Sequence, residues 1–194
     1  MSLSILGGRL KGLRLAAPVE SITRPTAVML RRKIFDAHQD LSGLTFVDLF
    51  AGSGAVGIEA YSRHAEDVYF SEVSKKAFKV LCQNLKKVES GLDRKPYLGK
   101  ASKWLELNIE RVLEKSSVIL FIDPPYKDTY LVEEIIDFLD GQKNLGNLQL
   151  WIESDQQKGF SEAQLIKILE LRKWEVARTY KQGQHYIIIA NIQS

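Results

Sequence analysis

Cysteine is nearly absent from this chain: Cys82 stands alone among 194 residues, so no internal disulfide can brace the core. A lone thiol with three scattered histidines also offers no zinc set, and Cys82 falls in a helical pattern that makes it a core or flank residue. Long apolar runs are missing too. None approaches the ~18 residues that span a bilayer, and the amino terminus lacks the charged-then-apolar layout of a secretion signal. These absences point to a cytoplasmic protein. Repeats, low-complexity tracts and a linker between domains are not found either, which leaves effectively one domain. At 45% hydrophobic and 26% charged residues, it has the means to bury a sizeable core.

Net charge is only +3, yet its distribution is uneven. Residues 1 to 35 hold seven basic residues, Arg9, Lys11, Arg14, Arg24, Arg31, Arg32 and Lys33, against Glu20, so this head is +6 and the remainder −3. A polyanionic partner explains the asymmetry; a solvated charged surface explains it equally.

Residues 3–17 read as a hairpin broken by Gly7-Gly8 and Gly12. After a loop through Thr26, a possible cap, Val28, Leu30, Ile34 and Phe35 mark the buried stripe of a helix ending near His38. Arg31, Arg32 and Lys33 are expected on its other faces. Strands are expected at 44–50, 67–72, 95–99, 118–122 and 148–153, with helices through Arg63 and over 74–88, 102–114, 128–139 and 161–171. Residues 174–180 and 185–191, joined by a turn at Gln182-Gly183, complete the pattern as a β-hairpin. Five alternations of strand and helix before a final hairpin define an α/β fold: a doubly wound, mostly parallel seven-stranded sheet closed by one antiparallel strand. Residues 1–40 form a basic hairpin-and-helix extension and 41–194 the core.

Two motifs fall at strand ends. Gly52, Gly54 and Gly57 fit GxGxxG between the first core strand and its helix, a pattern that suits a dinucleotide as readily as other nucleoside ligands. Asp48 separates these readings. Its carboxylate faces a pyrophosphate with like charge but attracts the sulfonium and ammonium of S-adenosylmethionine. Glu72, an acid at the end of the second strand, serves the ribose under either reading.

The second motif, Asp123-Pro124-Pro125-Tyr126, follows the apolar run Val118 to Ile122. Two prolines stop that strand at the sheet's carboxyl end, where open α/β sheets bind ligands. The Asp123 carboxylate and a main-chain carbonyl, that of Pro124, can accept the two N–H groups of a nucleobase amine. Its lone pair is thereby freed from the ring and aimed at a methyl donor. Tyr126 offers a face on which an extruded base can stack. No Ser or Cys nucleophile sits on a comparable elbow, and His38, His64 and His185 read as peripheral.

With both motifs placed, the chain resembles the RsmD family of bacterial 16S rRNA guanine-N2 methyltransferases. The resemblance runs through Ile5 to Gly12, Arg24-Pro25-Thr26, Phe35, Asp48 to Gly57, Glu59-Ala60, Glu72, Asn84 and Phe121 to Tyr126. It implies a Rossmann-like class I methyltransferase fold and S-adenosylmethionine held by Asp48, Phe50, Gly52, Ser53, Gly54, Glu72, Ala101 and Ser102. It further implies catalysis at Asp123, Pro124, Pro125 and Tyr126, and RNA held by Arg9, Lys11, Arg14, Arg24, Thr26 and Arg31. The implied partner is 16S rRNA in a small-subunit assembly particle, with no metal, no membrane and a monomeric enzyme. Lys100 stands where the family tends to carry Asp or Asn, so the adenine contact passes to main-chain groups near Ala101 or to the Ser102 hydroxyl. Two other readings remain: the same engine acting on DNA adenine N6, and a non-catalytic RNA-binding assembly factor.

Overall fold

The computed structural model describes residues 3–17, 25–88 and 96–193. Its centre is a seven-stranded sheet built from β3 (Thr45–Asp48), β4 (Asp67–Glu72), β5 (Tyr97–Leu98), β6 (Val118–Ile122), β7 (Leu148–Asp155), β8 (Trp174–Gln182) and β9 (His185–Ile192). Their spatial order is β5-β4-β3-β6-β7-β9-β8. Only β9 runs against the others, pairing antiparallel with β7 and with β8. This is the doubly wound architecture the alternation predicts. Every residue of β3 and β6 is buried, because helices cover both faces of these central strands.

Alternating side chains split the core in two. Val47, Leu120, Ile122, Leu150 and Ile152 face α4 (Ala101–Leu113), α5 (Tyr130–Asp140) and α6 (Glu162–Glu170). Phe46, Phe70, Phe121 and Trp151 face α1 (Pro25–Ala37), α2 (Ala55–Ser62) and α3 (Lys75–Leu85). Trp151 is fully buried and receives Phe35 of α1 and Phe46 of β3 edge-on, at centroid distances of 6.0 and 5.8 Å. Burying an aromatic side chain of this size contributes about 2 to 3 kcal/mol, and here it also seats α1 on the sheet. Local signals set the helix starts. Pro25 opens α1, where its missing N–H costs nothing, and Thr26 accordingly lies inside the helix rather than capping it. Ser74 caps α3 by accepting from the Ala77 N–H, and Ser161 with Gln164 forms a capping box on α6.

The expected amino-terminal hairpin is present, and it is short. β1 (Leu3–Ser4) and β2 (Arg14–Leu15) pair over two residues each, and Gly8–Leu10 between them is a 3₁₀ turn. The cause lies in α2. The buried Glu59 carboxylate accepts the N–H groups of Leu6 and Gly7 at 2.7 and 2.8 Å, while Ser62 Oγ accepts from Leu10 N–H at 2.9 Å and donates to the Gly7 carbonyl at 2.5 Å. Gly8, at φ +68°, sits so close to α2 that a Cβ would lie 2.0 Å from the Ser62 carbonyl oxygen. Backbone groups that a longer hairpin would pair internally are spent on the helix instead. Leu3, Ile5 and Leu15 thereby join the same apolar cluster as Phe46 and Ile58.

Candidate active site

The chain winds from β3 toward β4 on one side and from β6 toward β7 on the other, so its direction reverses between β3 and β6. The loops that follow these neighbours diverge and leave a crevice at their carboxyl ends. Gly52 and Gly54 adopt φ of +54° and +79°, a region that L side chains avoid. At Gly54 space is also short, since a Cβ would meet Leu81 Cδ1 at 2.4 Å. Gly57 lets α2 approach β4: a Cβ there would lie 2.3 Å from the Phe70 ring. The loop is then clasped from two sides. Glu72 accepts the Gly52 N–H at 2.7 Å through one oxygen and the Ser74 N–H at 2.7 Å through the other. Each oxygen keeps a second lone pair for a ligand. Buried Asn84 donates to the Ser53 carbonyl at 2.8 Å and exchanges two hydrogen bonds with the Ala16 backbone, tying the amino-terminal segment to the loop.

Phe50, Gly52, Glu72, Ala101 and Ser102 line a cavity of about 580 Å³ whose far wall is Asp123, Pro124, Pro125 and Tyr126. Asp48 and Ser53 border a second cavity of about 240 Å³ on the α1 side. Gly54 borders neither. Phe50, Gly52 and Asp123 line both, so the two spaces meet at Asp123. Lys100 precedes α4 in extended conformation and provides no side-chain cap. The first N–H groups of this helix, those of Ala101 and Ser102, therefore remain for a ligand.

Four acids stand at the carboxyl ends of adjacent strands: Glu72 on β4, Asp48 on β3, Asp123 just after β6 and Glu153 on β7. Burial pushes Asp48 up to about 7, reinforced by Asp123 and Glu72 and opposed by the Gly57 N–H, which donates to it at 3.1 Å. Burial, and then Glu153, hold the Asp123 carboxyl well above the ordinary range. Burial also raises Glu153, against the Tyr126 hydroxyl and the charge of Arg31. The common cause is burial, an energetic penalty on each charged carboxylate. A cation entering the crevice relieves it, whereas a phosphate deepens it.

Tyr126 is held by residues that the sequence pattern did not associate with it. Its hydroxyl lies 2.8 Å from His185 Nδ1 and 3.2 Å from Glu153 Oε1, and its ring packs 5.5 Å from the His185 ring. His185 is buried, with Nε2 3.6 Å from the Asp155 carboxylate across the β7–β9 pairing. The peripheral reading of His185 is thus corrected. The reason is topological: antiparallel β9 returns beside β7 and brings a residue 59 positions later in the chain against the loop after β6.

Among the basic residues expected to face RNA, Arg9, Lys11 and Arg14 are exposed on the segment docked to α2, with the Arg9 guanidinium 3.8 Å above the Tyr61 ring. Arg24 and the Thr26 side chain lie outside the described residues. Arg31 requires correction. It is 7% exposed, donates to the Ser4 carbonyl at 2.8 Å and lines the second cavity, because its position on α1 turns inward toward the sheet. Neither Arg31 nor Glu153 carried a motif that marked it as an interior cavity residue. Among the described residues, no group of three or more His, Cys, Asp or Glu is placed to hold a metal, and no helix is long and apolar enough to cross a membrane.

Residues 3–190 match the family model described as Conserved hypothetical protein 95. The chain is 31% identical over 156 residues to the Ribosomal RNA small subunit methyltransferase D of Buchnera aphidicola subsp. Acyrthosiphon pisum, covering 79% of this chain and 78% of that protein. It is 29% identical over 160 residues to the protein of the same name from Escherichia coli K12, covering 80% and 76%. In structure it is similar to the Escherichia coli protein yhhF, with a TM-score of 0.72 at 23% identity over 100% and 99% of the two chains. The ribosomal protein L11 methylase of Lactobacillus delbrueckii subsp. bulgaricus shares the fold at a TM-score of 0.63 and 15% identity, over 89% and 81%.

Proposed function

The chain belongs to the RsmD family, the one described as Conserved hypothetical protein 95, and from that membership we propose that it is an S-adenosylmethionine-dependent RNA methyltransferase whose target is the exocyclic N2 amine of a guanine in 16S rRNA, presented in a 30S assembly particle. Its relatives are named as small-subunit rRNA methyltransferases, which supports RNA methylation. The observation that carries the finer reading is the meeting of the glycine-loop cavity with the Asp123-Pro124-Pro125-Tyr126 wall, with Asp123 common to both cavities.

The residues present fit the donor. Three buried or half-buried carboxyls, each raised by burial, favour a ligand that carries a sulfonium and an ammonium over one that carries pyrophosphate. Asp48 and the Gly52 loop hold the methionine end, Glu72 the ribose hydroxyls, and the free N–H groups of Ala101 and Ser102 the adenine edge, with Phe50 packing beside it. When bound, the donor supplies a methyl group on positively charged sulfur.

Asp123 and the Pro124 carbonyl accept the two N–H groups of the target amine and draw its lone pair out of conjugation. Pro125 and the turn closed by Asp128 N–H on the Pro125 carbonyl at 2.7 Å keep these acceptors rigid. The proton released as the amine is methylated passes to the Asp123 carboxylate, whose raised affinity for protons suits it to that task. Tyr126, anchored through its hydroxyl, keeps its ring fixed as a stacking platform. Arg9, Lys11 and Arg14 supply phosphate contacts that make RNA the polymer bound. All these groups come from one chain, so the enzyme completes its site as a monomer in the cytoplasm.

The test is to incubate labelled donor with 30S particles, naked 16S rRNA and duplex DNA, then identify the labelled nucleoside. N2-methylguanosine from rRNA is the expected product. Label on DNA adenine with rRNA unlabelled overturns the substrate. Asp123→Ala should abolish transfer while donor binding by calorimetry stays intact, and full activity in that variant overturns the mechanism.

A further inference from the structure

S-adenosylmethionine carries one anion beside its two cations: an α-carboxylate, borne on the same carbon as the ammonium. In a crevice ringed by Glu72, Asp48, Asp123 and Glu153, that carboxylate meets like charge unless a cation stands next to it. Among the described residues that line the two cavities, two are cations: Lys100 in the larger and Arg31 in the smaller. Lys100 precedes α4, at the end assigned to adenine. Arg31 shares the smaller cavity with Asp48, Gly52 and Ser53, the groups assigned to the methionine end. Because ammonium and carboxylate hang on one carbon, the residues that receive them must face one small space. Asp48 and Arg31 do.

The condition of Arg31 points the same way. Its side chain is buried, and one terminal nitrogen donates to the Ser4 carbonyl at 2.8 Å. The buried Nε–H has no partner, a state that costs stability unless an acceptor arrives. Burial also disfavours the guanidinium's charge, and the two carboxylates that offset this are engaged elsewhere. Glu59 is held by Arg63 and by the backbone of Leu6 and Gly7, and Glu153 by the Tyr126 hydroxyl. A buried cation with an unspent donor and no carboxylate of its own is matched to an incoming anion.

We propose that Arg31 receives the α-carboxylate of the methyl donor and thereby selects donors that keep that group. The assignment rests on the reading of the chain as an S-adenosylmethionine-dependent enzyme. It moves Arg31 from the RNA surface, where its charge alone would put it, to the donor site.

Calorimetry provides the test, with S-adenosylmethionine and its decarboxylated form, which keeps the sulfonium, the amine and the nucleoside. Loss of a charge-assisted contact predicts that the wild type binds the intact donor about 30-fold or more tighter than the decarboxylated one. In Arg31→Gln that preference should fall to about threefold or less, while affinity for the decarboxylated form stays within about threefold of wild type. Arg31→Lys should keep part of the preference, since an ammonium retains the charge without the planar fork. A purely structural role for Arg31 weakens both ligands alike and leaves their ratio unchanged; that result overturns the proposal. A wild-type ratio near one overturns it without any variant. Should neither variant fold, the wild type labelled at its arginine nitrogens decides: the Arg31 Nε–H resonance should shift downfield with the intact donor and not with the decarboxylated one. The same response to both ligands overturns the assignment. A wild type that binds neither ligand refutes the underlying donor reading, which separates the two failures.

Discussion

Replacing Asp48 by asparagine should stabilise the free protein and weaken its hold on the methyl donor. Asp48 is 1% exposed, and burial moves its carboxyl from the ordinary 3.8 up to about 7. Between these values the folded chain keeps a proton that the unfolded chain has released. Stability from this group is therefore fully present below about pH 4 and is lost as the pH rises through about 7. A displacement of about three pH units, at about 1.4 kcal/mol each, amounts to roughly 4 kcal/mol. The asparagine side chain retains an oxygen for the Gly57 N–H and cannot ionise, so Asp48→Asn escapes that loss. Urea unfolding, followed by the emission of buried Trp104, Trp151 and Trp174, should show the variant more stable than wild type at pH 8, by up to roughly 4 kcal/mol. The gap should widen by roughly 2 to 3 kcal/mol between pH 5 and pH 8. Calorimetry should show the opposite trend for the donor, weakened about 10- to 100-fold by loss of a charge-assisted interaction. A stability gap that does not change with pH would mean that Asp48 is already ionised in the folded protein at neutral pH, and the argument from its burial would fail. Unchanged donor affinity would remove Asp48 from the donor site.

Three further outcomes are open to measurement. Glu59→Gln sets an amide N–H₂ against one of the two backbone N–H groups that Glu59 accepts and discharges its 3.0 Å ion pair with Arg63, so denaturant unfolding should show a loss of about 3 kcal/mol; a loss below about 1 kcal/mol contradicts its role in docking the amino-terminal segment. Tyr126→Phe keeps the stacking face but strips His185 and Glu153 of their shared partner, so kcat should fall about tenfold and stability by about 1 kcal/mol, with donor affinity unchanged; wild-type kcat counts against the anchored platform. The double variant Arg9→Ala with Lys11→Ala should lower the slope of log K for RNA against log salt by about 1.5, roughly 0.7 to 0.9 for each phosphate left without its cation, and an unchanged slope would take these residues off the RNA surface.

The fold was legible because its signals are local. Apolar runs such as Val118 to Ile122 mark strands buried on both faces, helical stripes alternate with them, and Pro124-Pro125 ends a strand wherever it packs. The glycine loop was legible for the same reason, since positive φ at Gly52 and Gly54 is a property of those residues themselves. The sequence alone therefore determined the strand and helix order, the place where the sheet opens and the two motifs at its edge. The tertiary structure decided what surrounds them. A basic residue on α1 could face solvent or sheet, and only the packing of Phe35 on Trp151 turns Arg31 inward. Glu59 and Asn84 read as parts of helical patterns until the amino-terminal segment folds onto them. His185 lay in an ordinary strand until β9 ran back beside β7 and placed it on Tyr126. These contacts join residues tens of positions apart through sheet order and helix seating, and no local propensity encodes either. Asp123 belonged to a motif from the start; the row of acids, the buried arginine and the second cavity that give its carboxylate a setting exist only in the folded chain.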